Sequence, residues 1–207
     1  SNANGNANAD TYLAELAIYA ETHGLHAIAI IDSGISGHVS AVTAHRFKIR
    51  KFFGEHTHCI ILPSKQASES KKAWRSKSVG GMTILKLSNK VSIARQFADP
   101  SGYGVFHILR LIHNGKRIDW APVYIPAAGS GDPDPTADGL WDKLQCHINT
   151  NKPQPAREWI TEALVARGIG KGTSCGDTHH TIVMGDLNEI PNTAGPSVLY
   201  ELQRQGF

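Results

Sequence analysis

The sequence predicts an α/β protein in which two β-sheets form a sandwich and helices cover its outer faces. Two observations support this prediction: some predicted strands follow one another as hairpin partners, while others alternate with predicted helices. With 207 residues, the chain is long enough for one sizeable domain and short for two. We therefore predict a single domain over residues 1–207, a four-layer α/β sandwich.

The first quarter of the chain alternates between helix and strand patterns. Apolar residues recur at helical spacing over residues 11–23, and Gly24 follows where a helix commonly ends. Residues 27–31 form a short apolar run that is typical of a buried strand. A second helix is predicted over residues 40–53 and a second strand over residues 59–62.

The middle of the chain is dominated by strand patterns. The lysine-rich segment 64–78 is predicted to be a loop, and the pair Gly80-Gly81 opens a strand that extends to residue 87. The turn at residues 88–90 predicts a hairpin between this strand and the next one, over residues 91–97. Strands over 104–113 and 117–125 flank Asn114-Gly115, a strong signal for a tight hairpin.

The last third returns to helices and one strand. A loop rich in Pro, Gly and Asp covers residues 127–136, and helices are predicted over 137–149 and 156–167. Residues 181–184 predict another buried strand, and a further helix begins near residue 199.

The composition is ordinary for a globular protein, with 41% hydrophobic and 19% charged residues. No apolar run has the length of a membrane span, so no membrane association is expected. Three scattered cysteines without a CxxC pair favour a reducing compartment, and hence an intracellular location, nuclear or cytoplasmic. The net charge of +3 is too small to prove nucleic-acid binding, and the locally basic runs 46–51 and 65–77 are more commonly solvated loops and helix faces.

Asp186 and Asn188 directly follow the last predicted strand, two residues apart. Side chains at this spacing leave a strand end in the same direction, so a carboxylate and an amide can face one pocket. The carboxylate could prepare a water for attack on a phosphodiester, and the amide could donate to a phosphoryl oxygen. The same Gly-Asp-x-Asn pattern is also typical of a turn.

Asp32 and Tyr124 also stand at predicted strand ends. Asp32 could hold Mg²⁺, which keeps most of its water ligands, or could instead cap a turn. The Tyr124 hydroxyl could donate to a phosphate, although a strand tyrosine is also a common packing residue.

These motifs occur in an order that resembles the endonuclease/exonuclease/phosphatase superfamily, and most of all the apurinic-type endonuclease domains of non-LTR retrotransposons. The resemblance extends over nearly the whole chain. The residues that carry it are Asn2-Ala3-Asn4-Gly5, Asp32-Ser33, Gly80-Gly81, Val123-Tyr124-Ile125-Pro126, Leu140-Trp141-Asp142-Lys143-Leu144 and Val183-Met184-Gly185-Asp186-Leu187-Asn188.

The resemblance implies a role for each matching residue. Asp186 would orient the attacking water, Asn188 and Tyr124 would contact the phosphate, and Asp32 would bind Mg²⁺ or Mn²⁺. Asn2 and Asn4 match a first-strand motif, in which Asn2 would contact substrate and Asn4 would lie at the metal. Basic residues between 71 and 77, among them Lys72 and Arg75, and those between 46 and 51 would follow the phosphates of the nucleic acid.

The family pattern ends in an Asp-His pair on a later strand, which has no counterpart before the chain ends at Phe207. We therefore expect a domain that lacks its last strands, has an unpaired strand edge with exposed apolar surface, and shows little activity in isolation. The acid–histidine group Asp177, His179 and His180 precedes the motif strand, and we predict a surface loop there.

The function that the sequence favours is a metal-dependent phosphodiester hydrolase, a nicking endonuclease domain of a retroelement polyprotein that acts on DNA rather than RNA. An inositol or lipid phosphatase of the same fold is the first alternative. The second alternative is a binding module that keeps the fold without the chemistry, because Asp32 replaces the family's usual Glu.

Overall fold

The computed structural model of the chain describes residues 3–65, 80–126, 139–150, 152–169, 179–188 and 202. The predicted loops and the helix near residue 199 lie largely outside these ranges. In chain order the elements are α1 (Ala3–Thr22), β1 (Ala27–Ile31), α2 (Val39–Phe53), β2 (His58–Leu62), β3 (Met82–Lys86), β4 (Val91–Ala98), β5 (His107–His113), β6 (Lys116–Tyr124), α3 (Leu140–Asn149), α4 (Ala156–Ala166) and β7 (His179–Asp186).

The strands form two sheets. The first sheet has the order β1-β3-β2 and is antiparallel throughout. The second has the order β4-β5-β6-β7, in which the first three strands are antiparallel and β7 runs parallel to β6. In the part of the chain that the structure describes, no helix is long and apolar enough to cross a membrane.

Alternating side chains bury both faces of each sheet. Met82, Ile84, Leu109 and Trp120 meet between the sheets. On the outer face of the first sheet Leu85 packs with residues of α1 and α2, and on the outer face of the second sheet a larger cluster packs with α3 and α4. The order helix–sheet–sheet–helix confirms the predicted four-layer α/β sandwich.

The predicted hairpin between β3 and β4 is wrong, because the two strands belong to different sheets. β3 is the central strand of its sheet, and β1 and β2 occupy both of its edges, so β4 has no edge to pair with. By contrast, the predicted β5–β6 hairpin is confirmed. Asn114 (φ 52°) and Gly115 (φ 74°) both adopt the positive φ that a two-residue type I′ turn requires.

β7 is longer and more exposed than the buried strand predicted over residues 181–184. It begins at His179, so His179 and His180 lie in a strand and not in the predicted surface loop. Ile182 is 46% exposed and Met184 is 51% exposed. Ile182 pairs with Trp120, whose side chain faces the first sheet, and β1 of that sheet contacts β6. The described strands of the first sheet therefore leave Ile182 and Met184 uncovered, which agrees with the apolar exposure we predict.

The N-terminal helix also begins earlier than predicted. α1 starts at Ala3 and includes Asn4, so the placement of Asn4 at a first strand is wrong. Its alanine- and leucine-rich continuation favours a helix, and short polar residues in the first turns do not end one. Asn2 lies outside the described residues, as do Lys72 and Arg75.

Candidate functional site

Tyr124 and Asp186 lie side by side at the ends of two parallel strands. They are register partners of β6 and β7, and partners in a ladder project to the same face of the sheet. The Tyr124 side chain is buried, with 5% of its surface exposed, whereas Asp186 is exposed. The structure therefore places the two residues that we predict to contact phosphate and water at adjacent strand ends.

The segment after Asp186 forms a tight turn. The Asn188 backbone N–H donates to the Asp186 Oδ1 at 3.1 Å, and Asn188 has a φ of 44°, in the left-handed region that asparagine tolerates. The Asn188 side-chain Nδ2 donates to the Ile125 carbonyl at 2.7 Å. The Gly-Asp-x-Asn motif thus forms a turn in this structure, which was the alternative to a catalytic role. A contact between the Asn188 amide and a phosphate stays a prediction.

Arg157 supports the same turn and has no counterpart among the residues predicted from sequence. It lies in the first turn of α4, and its Nη2 donates to the Asn188 carbonyl at 2.9 Å. Its Nε is buried without an acceptor among the described residues. Nothing in the sequence around Arg157 distinguishes it from a solvated arginine at a helix start, so this contact could be found only in the folded structure.

Asp32 closes the end of β1 onto the segment before β3. Its Oδ1 accepts the Gly80 N–H at 2.7 Å, and it has a φ of 51°. The next two residues continue the pairing, because the N–H of Ser33 donates to the Gly81 carbonyl and that of Gly34 donates to the Gly80 carbonyl. The hydroxyl of Ser33 is buried with no partner among the described residues. Asp32 therefore stabilises a turn, which was the alternative to a metal-binding role.

A chain of backbone hydrogen bonds joins the two strand ends across the sandwich. The Gly81 N–H donates to the Tyr103 carbonyl at 2.8 Å, and the Tyr124 N–H donates to the Val105 carbonyl at 2.7 Å. The Ile125 N–H then donates to the Asp186 carbonyl at 2.9 Å. Asp32 and Asp186 consequently terminate strands of opposite sheets at the same end of the molecule.

Gly104 allows this close approach between the sheets. It has a φ of 67°, and a Cβ added there would lie 2.6 Å from the Gly81 Cα. A side chain at this position would separate the segment 103–105 from the start of β3, and with it the two halves of the site.

A cavity of about 500 Å³ opens beside Asp32, between α1, α2 and β1. Apolar residues such as Leu13 and Ile31 line most of it, and His45 and Lys48 add polar groups. His45 contacts the Thr83 hydroxyl through Nε2 at 3.0 Å, and burial lowers the pKa of this histidine. The wall of the cavity next to Asp32 is therefore neutral at His45, and Lys48 pairs there with the Asp10 carboxylate at 3.0 Å.

The available donors fit a hard divalent cation. Asp32 and Asp186 provide carboxylate oxygens, and Mg²⁺ is commonly held by one or two carboxylates together with water and substrate phosphate. A carboxylate has about four lone-pair positions, so the hydrogen bond from Gly80 leaves Asp32 able to coordinate. Within the described ranges, no three residues of the types His, Cys, Asp and Glu are grouped to hold a metal. Burial raises the pKa of the Cys59 thiol to about 11, which keeps it protonated and a poor ligand.

Together the fold and the site define an α/β sandwich with acidic strand ends from both sheets at one end. No protein-family model matches the chain, and neither does any curated protein. The chain is similar to solved structures of D. rerio TDP2 complexed with a single strand DNA product (TM-score 0.48, 7% identity, 94% of this chain and 58% of that chain). It is also similar to humanized D. rerio TDP2 (0.45, 7%, 89% and 58%) and to beta toxin from Staphylococcus aureus (0.41, 13%, 86% and 57%).

The chain spans less than two thirds of the length of each of these structures. Sequence identities this low, with TM-scores below 0.5, support no conclusion about activity.

Proposed function

We propose that this chain belongs to a divalent-metal-dependent phosphodiesterase that cuts nucleic acid, DNA rather than RNA, as the nicking endonuclease of a retroelement does. One observation carries the proposal. Asp32 and Asp186 end strands of opposite sheets at the same end of the sandwich, connected through the segment 103–105. An acidic edge of this kind is suited to hold a hydrated metal ion and a water molecule next to a phosphate.

Asp186 has the position for preparing the water. Its carboxylate is exposed at the strand end, and the Asn188 N–H donates to Oδ1, which fixes the orientation of the carboxylate. The other oxygen, Oδ2, can then accept the proton of the attacking water. Tyr124 lies on the adjacent strand and can donate its hydroxyl hydrogen to a non-bridging oxygen of the phosphate.

Asp32 would hold Mg²⁺ or Mn²⁺, and a bound ion would neutralise charge that develops on the phosphate and on the leaving oxygen. Lys48 lines the cavity beside Asp32, but its ammonium group pairs with the Asp10 carboxylate at 3.0 Å, so it is assigned no role towards substrate. Arg157 acts as a positioning residue, because it holds the Asn188 carbonyl and so shapes the turn that carries the amide.

One group of contacts favours a second candidate, a binding module without chemistry. The Asp32 carboxylate and the Asn188 amide are both engaged in hydrogen bonds with the backbone. In a phosphodiesterase these two groups would have to face metal and phosphate. The second candidate predicts that the protein binds nucleic acid and does not cut it.

The test incubates supercoiled plasmid and Mg²⁺ or Mn²⁺ with this chain and, where its gene encodes further sequence, with the full-length gene product. We expect the full-length gene product to nick the plasmid and Asp186→Asn to abolish nicking. Glu55→Gln removes an exposed carboxylate before β2, at the other end of the sandwich, and should leave nicking unchanged. Equal nicking by Asp186→Asn and the unmodified protein would overturn the assignment of Asp186. Binding of plasmid without nicking by the full-length gene product would establish the second candidate.

A further inference from the structure

The helix-facing side of the second sheet carries an arginine from each of three neighbouring strands. We call Arg95 of β4, Arg110 of β5 and Arg117 of β6 the arginine stripe. Arg110 lies two residues from Ile108, which packs with the α3 and α4 side, so the stripe shares that face. The helices α3 and α4 pack against the end of this face that contains Ile108 and Val123, and the stripe lies towards its other end.

A β-bulge places Arg95 in the stripe. The register of β4 and β5 shifts between Ile93 and Arg95, so that Ile93 pairs with Leu111 and Arg95 with Arg110. Ile93 packs between the two sheets. Without the extra residue Ala94, strict alternation would direct Arg95 to that same apolar interior. The bulge therefore turns a cation out of the core and aligns it with Arg110.

Asp119 orients the other two members of the stripe. The Arg110 Nε and Nη2 donate to its two carboxylate oxygens at 3.0 and 3.3 Å, and Arg117 Nε donates to Oδ1 at 3.3 Å. Asp119 is 1% exposed. Burial raises the pKa of Asp119, but the hydrogen bonds from Arg117 and Arg110 outweigh this effect and lower it to about 2, so the carboxylate stays ionised.

The stripe keeps an excess of positive charge. The stripe has three guanidinium groups and one carboxylate, Asp119, which pairs with Arg110 and Arg117. Arg95 stands directly opposite Arg110, a like-charged cross-strand pair that a bound anion would stabilise. The Arg110 and Arg117 side chains are 28% and 37% exposed, and Arg95 is exposed, so all three reach solvent. Arg167 at the end of α4 adds a further cation, stacked 3.8 Å from the ring centroid of Phe97, two residues from Arg95.

We propose that the arginine stripe binds the phosphate groups of a nucleic-acid strand. A planar guanidinium group matches the oxygens of a phosphate in a bidentate manner. Arg110 and Arg117 already hold Asp119 in this way, so the bidentate contact is assigned to Arg95, and the other two contribute positive charge beside it. Three adjacent strands span roughly 10 Å, which exceeds the width of one phosphate group and suits successive phosphates of a polyanion.

The stripe is separate from the candidate active site, and the inference does not depend on catalysis. Asp119 and Tyr124 are five residues apart on β6, roughly 17 Å along an extended strand. Asp186 is the register partner of Tyr124 and so lies at the same far end of the sheet. A protein that binds through the stripe and cuts nothing would satisfy this inference and fail the proposed function.

The test measures binding of a short fluorescent single-stranded oligonucleotide by anisotropy, with the full chain in EDTA so that no metal-dependent cleavage occurs. Arg95→Gln should weaken binding about three- to tenfold and reduce the slope of log affinity against log salt concentration by about one. Arg95→Lys keeps the positive charge but loses the planar guanidinium group, so its affinity for the oligonucleotide should lie between that of Arg95→Gln and that of the unmodified chain. Lys90→Gln makes the same charge change in the exposed turn before β4 and should leave affinity within about twofold.

Two outcomes would overturn the proposal. One is an equal loss of affinity in Arg95→Gln and Lys90→Gln, which would mean that only net charge matters. The other is full displacement of the oligonucleotide by inorganic phosphate at an equal concentration of phosphate groups, which would indicate a site for a single phosphate. Arg95 is exposed and does not contact Asp119, so we expect its variants to keep the unfolding temperature of the unmodified chain.

Discussion

The Asn188 backbone N–H donates to the Asp186 carboxylate at 3.1 Å. This hydrogen bond closes the turn after β7 and also orients the carboxylate that we propose to be catalytic. The turn directs the Asn188 side chain back to the Ile125 carbonyl, which continues β6. Two strands that run in parallel are thereby joined beyond their last ladder partners, Tyr124 and Asp186. The position of the Asp186 carboxylate thus depends on Asn188.

Replacing Asn188 tests how far this turn contributes to stability. Asn188→Ala removes the donor to the Ile125 carbonyl and places a less tolerant residue at a φ of 44°. We expect the free energy of unfolding to fall by about 1–2 kcal/mol in urea titrations. Asn188→Gly tolerates the positive φ and loses only the hydrogen bond, so it should be destabilised less. Equal stability of all three proteins would show that the turn contributes nothing.

Sequence periodicity located nearly all the described helices and strands, because each buries one face and so repeats its apolar residues at the proper spacing. It failed for the pairing of β3 with β4. The turn at residues 88–90 favours a reversal of the chain direction, but it does not show whether β3 has a free edge with which β4 could pair. It also failed for the exposure of β7. Ile182 and Met184 have the apolar character of buried residues, but among the described strands of the first sheet β1 contacts β6, and these two side chains remain about half exposed.

The candidate site was predictable to the extent that strand ends carry its chemistry. Asp32, Tyr124 and Asp186 all follow or end strands, and the structure places each at such an end. The contact of Arg157 with the Asn188 carbonyl joins residues of α4 and β7 that are far apart in the chain, and no local pattern indicates it. The engagement of Asp32 with the Gly80 N–H depends in the same way on how β1 meets β3.

Gly104 should tolerate a side chain poorly. In Gly104→Ala the new Cβ would lie 2.6 Å from the Gly81 backbone, in addition to the strain of a φ of 67°. We expect a loss of more than about 2 kcal/mol in the free energy of unfolding. Gly115→Ala is the matched control, because its φ is 74° and no atom lies within 4 Å of its added Cβ. Gly115→Ala should lower the free energy of unfolding by about 1 kcal/mol. A similar decrease in both variants would contradict the close contact at Gly104.

Asp119 should make stability depend on acid pH. Its folded-state pKa of about 2 is below the ordinary value of 3.8, so its contribution is fully present above pH 3.8 and is lost as the pH falls towards 2. The lowered pKa corresponds to a contribution of about 2 kcal/mol to the free energy of unfolding. Urea unfolding of the unmodified chain and of Asp119→Asn between pH 2 and 6 checks this. The difference in stability between the two proteins should shrink as the pH falls, and a difference independent of pH would refute the assignment.

The exposed side chains of β7 should govern self-association. Ile182 and Met184 lie on the side of the second sheet that faces the first, and the described part of the first sheet leaves them about half exposed. Replacing both by Thr keeps strand propensity and removes apolar surface, so light scattering should show less association, with the unfolding temperature unchanged or raised. Val183 has the opposite orientation and packs against the cluster that contains α3 and α4. Val183→Thr puts a hydroxyl into that cluster and should lower stability by about 1–2 kcal/mol without reducing association. If association persists in the double variant and decreases in Val183→Thr, the exposed face of β7 is not its cause.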